Sequence, residues 1–165
     1  MPNDSTLQET QEEIQSVSVP SPISGRPCNA SLSILGDTLA LFNAGCLLKV
    51  TGNQVMAPFD GVITDIEANQ LSVKLKATNG LRIWIKVSEV MLAAHTAGCF
   101  AQVKINDQVK KNDVLLQFNP TILKQFGALP YARVIITNSQ NIKRTDITKA
   151  RQCLALEDNL FTLRF

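Results

Sequence analysis

The sequence predicts an all-β protein, a sandwich or barrel with one or two short helices. From residue 17 onward, short apolar runs alternate with Gly, Pro, Asn and Asp, which is typical of many short strands joined by turns. A five-residue pattern occurs twice, at Ser21–Gly25 and at Ala57–Gly61, 36 residues later. Two Asn-Asp turns also follow one another within residues 103–118. Repeated turn-and-strand units favour a fold of two related halves.

The first 16 residues differ in composition from the rest. They are polar and lack strong periodicity, so we expect residues 1–16 to be an acidic disordered tail and residues 17–165 to be the folded domain. Residues 1–15 carry a charge of −4, and since the whole chain carries +2, the remainder carries +6. This positive excess is spread along the chain without interleaved aromatic residues, which argues against nucleic-acid binding.

Apolar runs with β-branched residues predict six strands. They lie at 47–50, 61–66, 71–75, 81–87, 114–118 and 132–137. Two segments favour helix instead. The first is a short turn at 121–127, and the second is 139–150, for which Ser139 is a suitable N-cap.

The turns make specific demands on the backbone. In each copy of the repeat, Pro22 or Pro58 fixes φ before a turn, and we expect the following glycine to supply a positive φ. In the second pair of turns we expect Asn106 and Asn112 to adopt the left-handed conformation, which asparagine tolerates better than most residues.

Several segments resemble the glucose-type enzyme IIA domain of the bacterial phosphoenolpyruvate-dependent sugar phosphotransferase system. Lys49–Gly61 is similar to the family pattern Pro-x-x-Gly-x-x-x-Ala-Pro-x-Asp-Gly, and Gly80–Phe100 is similar to the strand and loop that carry the active histidine. Arg133–Asn138 resembles a late strand of the family. The resemblance extends over about residues 17–165 and implies the same all-β sandwich, a duplicated hybrid motif.

The resemblance also implies an active site of two facing histidines, one that carries the phosphoryl group and one that stabilises it. In this chain the first position is Lys86, and the second falls on Gln70 or Leu71. A lysine ammonium has no lone pair for attack on phosphorus at neutral pH. We therefore expect a non-phosphorylatable regulatory or binding module, and whether the chain is an enzyme stays open.

His95 provides the alternative. It is the one histidine of the chain and lies in the loop after the active-site strand. If His95 were a relocated phosphoacceptor, the protein would remain a phosphoryl carrier in sugar uptake. The other interpretation is a loop histidine without that role.

The strand at 81–87 also predicts a docking surface. Alternation places Trp84 and Lys86 on one face, and Trp84 stands where the family has a Phe that faces partner proteins. We expect a partner-binding patch that consists of Leu39, Leu41, Val73, Trp84 and Lys86. By resemblance, its partners are the histidine phosphocarrier protein, enzyme IIB or regulated transporters and enzymes.

The sequence offers no cofactor or metal site. Its four cysteines are scattered without a C-x-x-C pair, and one histidine is too few for a typical zinc site. No apolar run reaches the roughly 18 residues of a membrane span, so we expect no membrane insertion. With no secretory signal pattern, a cytoplasmic location is expected.

Overall fold

The computed structural model describes residues 15–88, 99–127 and 130–165. Within these residues the chain forms thirteen strands, one α-helix and three short 3₁₀ helices. The strands are β1 Ser16–Pro20, β2 Gly25–Cys28, β3 Gly45–Val50, β4 Gln54–Met56, β5 Gly61–Glu67, β6 Ser72–Ala77, β7 Arg82–Val87, β8 Cys99–Ala101, β9 Gln108–Val109, β10 Val114–Phe118, β11 Tyr131–Ile136, β12 Arg144–Ile147 and β13 Asn159–Arg164. The helix α1 spans Pro120–Gln125, and the 3₁₀ helices span Ala30–Leu32, Ile34–Leu41 and Ala68–Gln70.

An antiparallel seven-stranded sheet forms the centre of the fold. Its strand order is β2-β3-β11-β7-β6-β5-β9, and two three-stranded sheets, β1-β13-β12 and β4-β10-β8, complete the sandwich. The inner face of the large sheet supplies much of the core. On β7, for example, Ile83, Ile85 and Val87 are buried, whereas the residues between them lie on the outer face. The all-β class predicted from the sequence is confirmed.

The five-residue repeat occupies equivalent places in the two halves. Gly25 begins β2 and Gly61 begins β5, and each is paired with a neighbouring antiparallel strand. The expected positive φ is wrong, since neither glycine has one. Glycine is required for another reason: a Cβ on Gly25 would lie 2.8 Å from the carbonyl oxygen of Lys49, and one on Gly61 would collide with that of Lys76.

The two Asn-Asp turns have the same construction, and their left-handed asparagines are confirmed. Asn106 has φ of 71° and Asn112 has φ of 82°. In each turn the following aspartate accepts a backbone N–H three residues earlier, at 2.8 Å: Asp107 from Lys104 and Asp113 from Lys110.

One of the two predicted helices is confirmed and the other is wrong. Helix α1 begins after Asn119, whose side-chain oxygen accepts the N–H groups of Thr121 and Ile122. The segment 139–150 contains strand β12, which pairs with β13. Ser139 caps no helix there, because its hydroxyl accepts the backbone N–H of Asn43 at 3.0 Å. Pairing with the last strand, which is distant in sequence, outweighs the local helix signal.

The domain begins slightly earlier than the sequence indicated. Ser16 is the first residue of β1 and pairs with Arg164, and the carbonyl of Gln15 accepts the N–H of Phe165 at 2.9 Å. Residue 16 therefore belongs to the sheet rather than to a tail. Residues 1–14 lie outside the described part, so the disordered tail stays a prediction. Among the described residues, no helix is both long and apolar enough to cross a membrane.

The left-handed turns generate a stability prediction. Asn112 is exposed, so Asn112→Val removes little packing but forces a β-branched residue to φ near 82°. We expect the free energy of unfolding to fall by about 1–2 kcal/mol, measured by urea denaturation, whereas Asn112→Gly should match the wild type or exceed it. Lys111→Val is the control, since this exposed neighbour has no positive φ. Equal stability of Asn112→Val and wild type would contradict the backbone argument.

Candidate functional site

Trp84 and Lys86 lie side by side in β7 on the outer face of the large sheet. Each is half-buried, and Ile85 between them is fully buried in the core. Across the sheet, Lys86 is opposite Arg133 of β11 and Ser72 of β6, and Trp84 is opposite Lys74. We call the five side chains that meet here the outer-face site: Ser72, Lys74, Trp84, Lys86 and Arg133.

The indole of Trp84 is the centre of this site. Its Nε1–H donates to the Ser72 hydroxyl at 2.9 Å. The Arg133 guanidinium carbon lies 4.2 Å from the ring centroid, and the Lys74 ammonium lies 4.8 Å from it. Cations at these distances are attracted by the ring quadrupole. The hydrogen bond and the two cations therefore hold the indole in place.

Lys86 contacts Gln70, one of the two residues on which the second histidine position of the family falls. Its ammonium donates to the backbone carbonyl of Gln70 at 2.9 Å. The resemblance leaves two residues for the second histidine position, Gln70 and Leu71. Gln70 lies beside Lys86. Leu71 is buried in the core and 0% exposed. Burial lowers the pKa of Lys86, and the positive charge of Arg133 lowers it further, while Glu67 acts in the opposite direction.

Arg133 is a member of the site that the sequence did not identify as functional. It is 7% exposed, and its Nη1 donates to the Thr38 hydroxyl at 2.7 Å. Its Nε is buried without a hydrogen-bond partner among the described residues. Burial also lowers the pKa of its guanidinium. One signal was present in the sequence: β11 is otherwise apolar or aromatic, so a central arginine in it needs an explanation.

The apolar patch is only partly as predicted. The 3₁₀ helix Ile34–Leu41 contributes Leu39, which is half-buried, and Leu41, which is 79% exposed. Ile34 of the same helix is 65% exposed and was missed from sequence. Val73 has to be removed from the patch, because it is 0% exposed and pairs with Ile85, which faces the core.

Among the described residues, no other candidate adds a reactive group to the outer-face site. His95 and its loop lie outside the described residues. Within residues 15–88, 99–127 and 130–165, no three His, Cys, Asp or Glu side chains cluster as metal ligands would. The four cysteines are free, and burial raises the pKa of Cys46 to about 12. The site therefore combines fixed cations with an indole, a chemistry suited to binding.

Comparisons with known proteins agree with this fold. The family described as phosphoenolpyruvate-dependent sugar phosphotransferase system, EIIA 1, matches residues 35–142. The glucose-specific EIIA component of Oceanobacillus iheyensis is 22% identical over 120 residues, which is 73% of each protein. A raffinose carrier protein of Pediococcus pentosaceus is 25% identical over 98% of this chain, but the chain spans only 25% of that protein's length.

A solved structure gives the same fold. Glucose permease IIA from Mycoplasma capricolum superposes with a TM-score of 0.71 and covers 90% of this chain and 96% of its own, at 12% sequence identity. At that identity the likeness concerns the fold alone. The match of the family across most of the domain carries the assignment: this chain belongs to the EIIA 1 family of the phosphoenolpyruvate-dependent sugar phosphotransferase system.

Proposed function

We propose that this protein is an enzyme IIA-like binding module that docks partner proteins of the sugar phosphotransferase system without carrying a phosphoryl group itself. The observation that carries the proposal is the hydrogen bond of Lys86 to the backbone carbonyl of Gln70. By resemblance, Lys86 stands at the phosphohistidine position, and the second histidine position falls on Gln70 or Leu71. Neither position offers an imidazole. We therefore propose that the protein retains the family's binding surface and has lost its phosphoryl transfer.

The chemistry of lysine supports a binding role without phosphoryl transfer. An ammonium is a donor without a lone pair, so it cannot attack phosphorus in that form. Burial and the adjacent Arg133 charge lower the pKa of Lys86, whereas the nearby Glu67 carboxylate favours its charged form. The hydrogen bond to the Gln70 carbonyl uses Lys86 as a donor and gives it a structural role. No described residue around it is an imidazole that could accept or stabilise a phosphoryl group.

The docking surface combines Trp84 with the exposed apolar side chains of the 3₁₀ helix Ile34–Leu41. Tryptophan is enriched at the energetic centres of protein interfaces. Exposed Ile34 and Leu41 add apolar area on the 3₁₀ helix whose Thr38 contacts Arg133, the residue that packs on Trp84. By family, the partners are the histidine phosphocarrier protein, enzyme IIB or regulated transporters and enzymes. Such partners meet enzyme IIA in the cytoplasm, which is the location we propose.

The charge at the centre of this surface suggests a regulatory consequence. Phosphorylation of a family member adds negative charge at the phosphohistidine. Lys86 instead supplies a positive charge, and phosphoryl transfer between the proteins of the system does not change it. We propose that partners encounter this protein in a permanently dephospho-like state.

Intact-mass analysis tests the loss of phosphoryl transfer. The protein is incubated with enzyme I, the histidine phosphocarrier and phosphoenolpyruvate, beside an ordinary glucose-type enzyme IIA as positive control. We expect the control to gain a phosphoryl group and this protein to keep its mass, because Lys86 replaces the acceptor.

A phosphoryl adduct on this protein would contradict the proposal. His95→Ala then locates the acceptor: if the adduct disappears, the alternative of a relocated phosphoacceptor is correct. If the adduct persists in His95→Ala but disappears in Lys86→Met, the lysine amine itself accepts phosphate.

A second experiment tests the docking surface through one exposed leucine. Leu41→Ala removes an apolar side chain that is 79% exposed, so the fold should tolerate it. If Leu41 lies in the interface, binding to immobilised histidine phosphocarrier should weaken by about fivefold or more, measured by surface plasmon resonance.

Leu154→Ala is the matched control, because Leu154 is also an exposed leucine, 46% exposed, and lies outside the proposed surface. It should bind as the wild type does. Equal weakening by both substitutions, or none by Leu41→Ala, counts against this surface.

A further inference from the structure

Among the described residues, no carboxylate forms an ion pair with the cations of the outer-face site, and Glu67 offsets the charge of Lys86 only in part. Lys86 and Arg133 are directly opposite each other on β7 and β11, and Lys74 is one strand further along. Asp65 is paired with Lys74 in the sheet register, and Glu67 with Ser72. Within the described part of the chain, however, the ion pairs join Asp146 to Arg144 and Arg164, and none involves this site.

Burial makes this excess of positive charge costly. Arg133 is only 7% exposed and its Nε has no hydrogen-bond partner among the described residues. Lys86 has three N–H donors, and among the described residues one of them is used, by the Gln70 carbonyl. Removing unpaired cations from water is unfavourable unless an anion compensates. Two adjacent half-buried or buried cations with unused donors therefore indicate an anionic ligand.

We propose that Lys86 and Arg133, with Lys74 at the rim, form a non-covalent binding site for a phosphate-class dianion, either inorganic phosphate or a small phosphomonoester. A phosphate oxygen can accept from the Lys86 N–H groups that have no partner among the described residues, while Arg133 acts as a fixed charge held by Thr38 and Trp84. The dianion offsets the repulsion between the two cations. The inference rests on the proposed function only for its location, since no partner protein takes part.

The electrostatics of the site are consistent with this ligand. Burial and the neighbouring Arg133 lower the pKa of Lys86 and outweigh Glu67, which raises it, so the folded protein penalises the charged form of Lys86. A bound dianion reverses that penalty, because opposite charge within a few ångströms favours the ammonium. Perturbed titratable groups of this kind are common where proteins bind ligands.

Tryptophan fluorescence gives a local test, because Trp84 is the single tryptophan of the chain. The protein is titrated with sodium phosphate, and separately with glucose 6-phosphate, at constant pH and with chloride at the same ionic strength as blank. We expect a saturable change in emission with at least one phosphate probe. Lys86→Gln should weaken that binding about tenfold, the typical effect of losing one charge-assisted hydrogen bond.

Lys76→Gln is the control, since it removes the same charge from an exposed position on β6, opposite Arg82. It should bind as the wild type does. Isothermal titration calorimetry of the same variants, with Lys74→Gln added, provides a readout that does not depend on the indole. Saturation by phosphate alone identifies free phosphate as the ligand, and saturation by glucose 6-phosphate alone identifies a phosphomonoester.

Three results would overturn the inference. The first is that neither probe gives a saturable signal above the chloride blank. The second is that glucose without phosphate gives the same signal as glucose 6-phosphate. The third is that Lys76→Gln weakens binding as much as Lys86→Gln, which would mean a diffuse surface charge. All three leave the docking experiment with Leu41 unaffected.

Discussion

The burial of β11 on both faces is the constraint on which the outer-face site depends. This strand lies between β3 and β7 in the seven-stranded sheet, and its inner side chains form part of the core. Its outer side chains are buried as well: Ile135 is 0% exposed and Arg133 is 7% exposed. The 3₁₀ helix Ile34–Leu41 provides this cover, and Gly45 of β3 permits it, because a Cβ there would lie 2.6 Å from Leu39 Cδ2.

The outer face of the neighbouring strand β7 is less completely covered than that of β11. Trp84 and Lys86 of β7 stay half-buried, so they are held by neighbours yet still reach the surface. The hydrogen bond to Ser72 and the contact with Arg133 fix the indole, and Gln70 fixes the ammonium. These contacts support the proposal that this surface binds partners rather than transfers a phosphoryl group. The same fixed cations underlie both proposals, the dephospho-like surface and the phosphate site.

Local patterns in the sequence predicted part of this arrangement and long-range contacts decided the rest. Strand alternation correctly placed Trp84 and Lys86 outside, and asparagine chemistry correctly placed the left-handed turns. The burial of Val73 depends on its register opposite Ile85, and β12 exists because β13, distant in sequence, pairs with it. Arg133 belongs to the site only because it contacts Thr38 and Trp84. Thr38 and Arg133 are 95 positions apart in the sequence. No local pattern contains such information.

The most direct test of the account is a nuclear magnetic resonance titration of the ¹⁵N-labelled protein with unlabelled histidine phosphocarrier. The single tryptophan gives one indole N–H signal, which reports on Trp84 without ambiguity. The account predicts that this signal shifts together with the backbone amides of Leu39, Leu41 and Lys86, while those of β12 stay in place. Shifts confined to the β4-β10-β8 sheet, or no shifts at all, would contradict a docking role for this face.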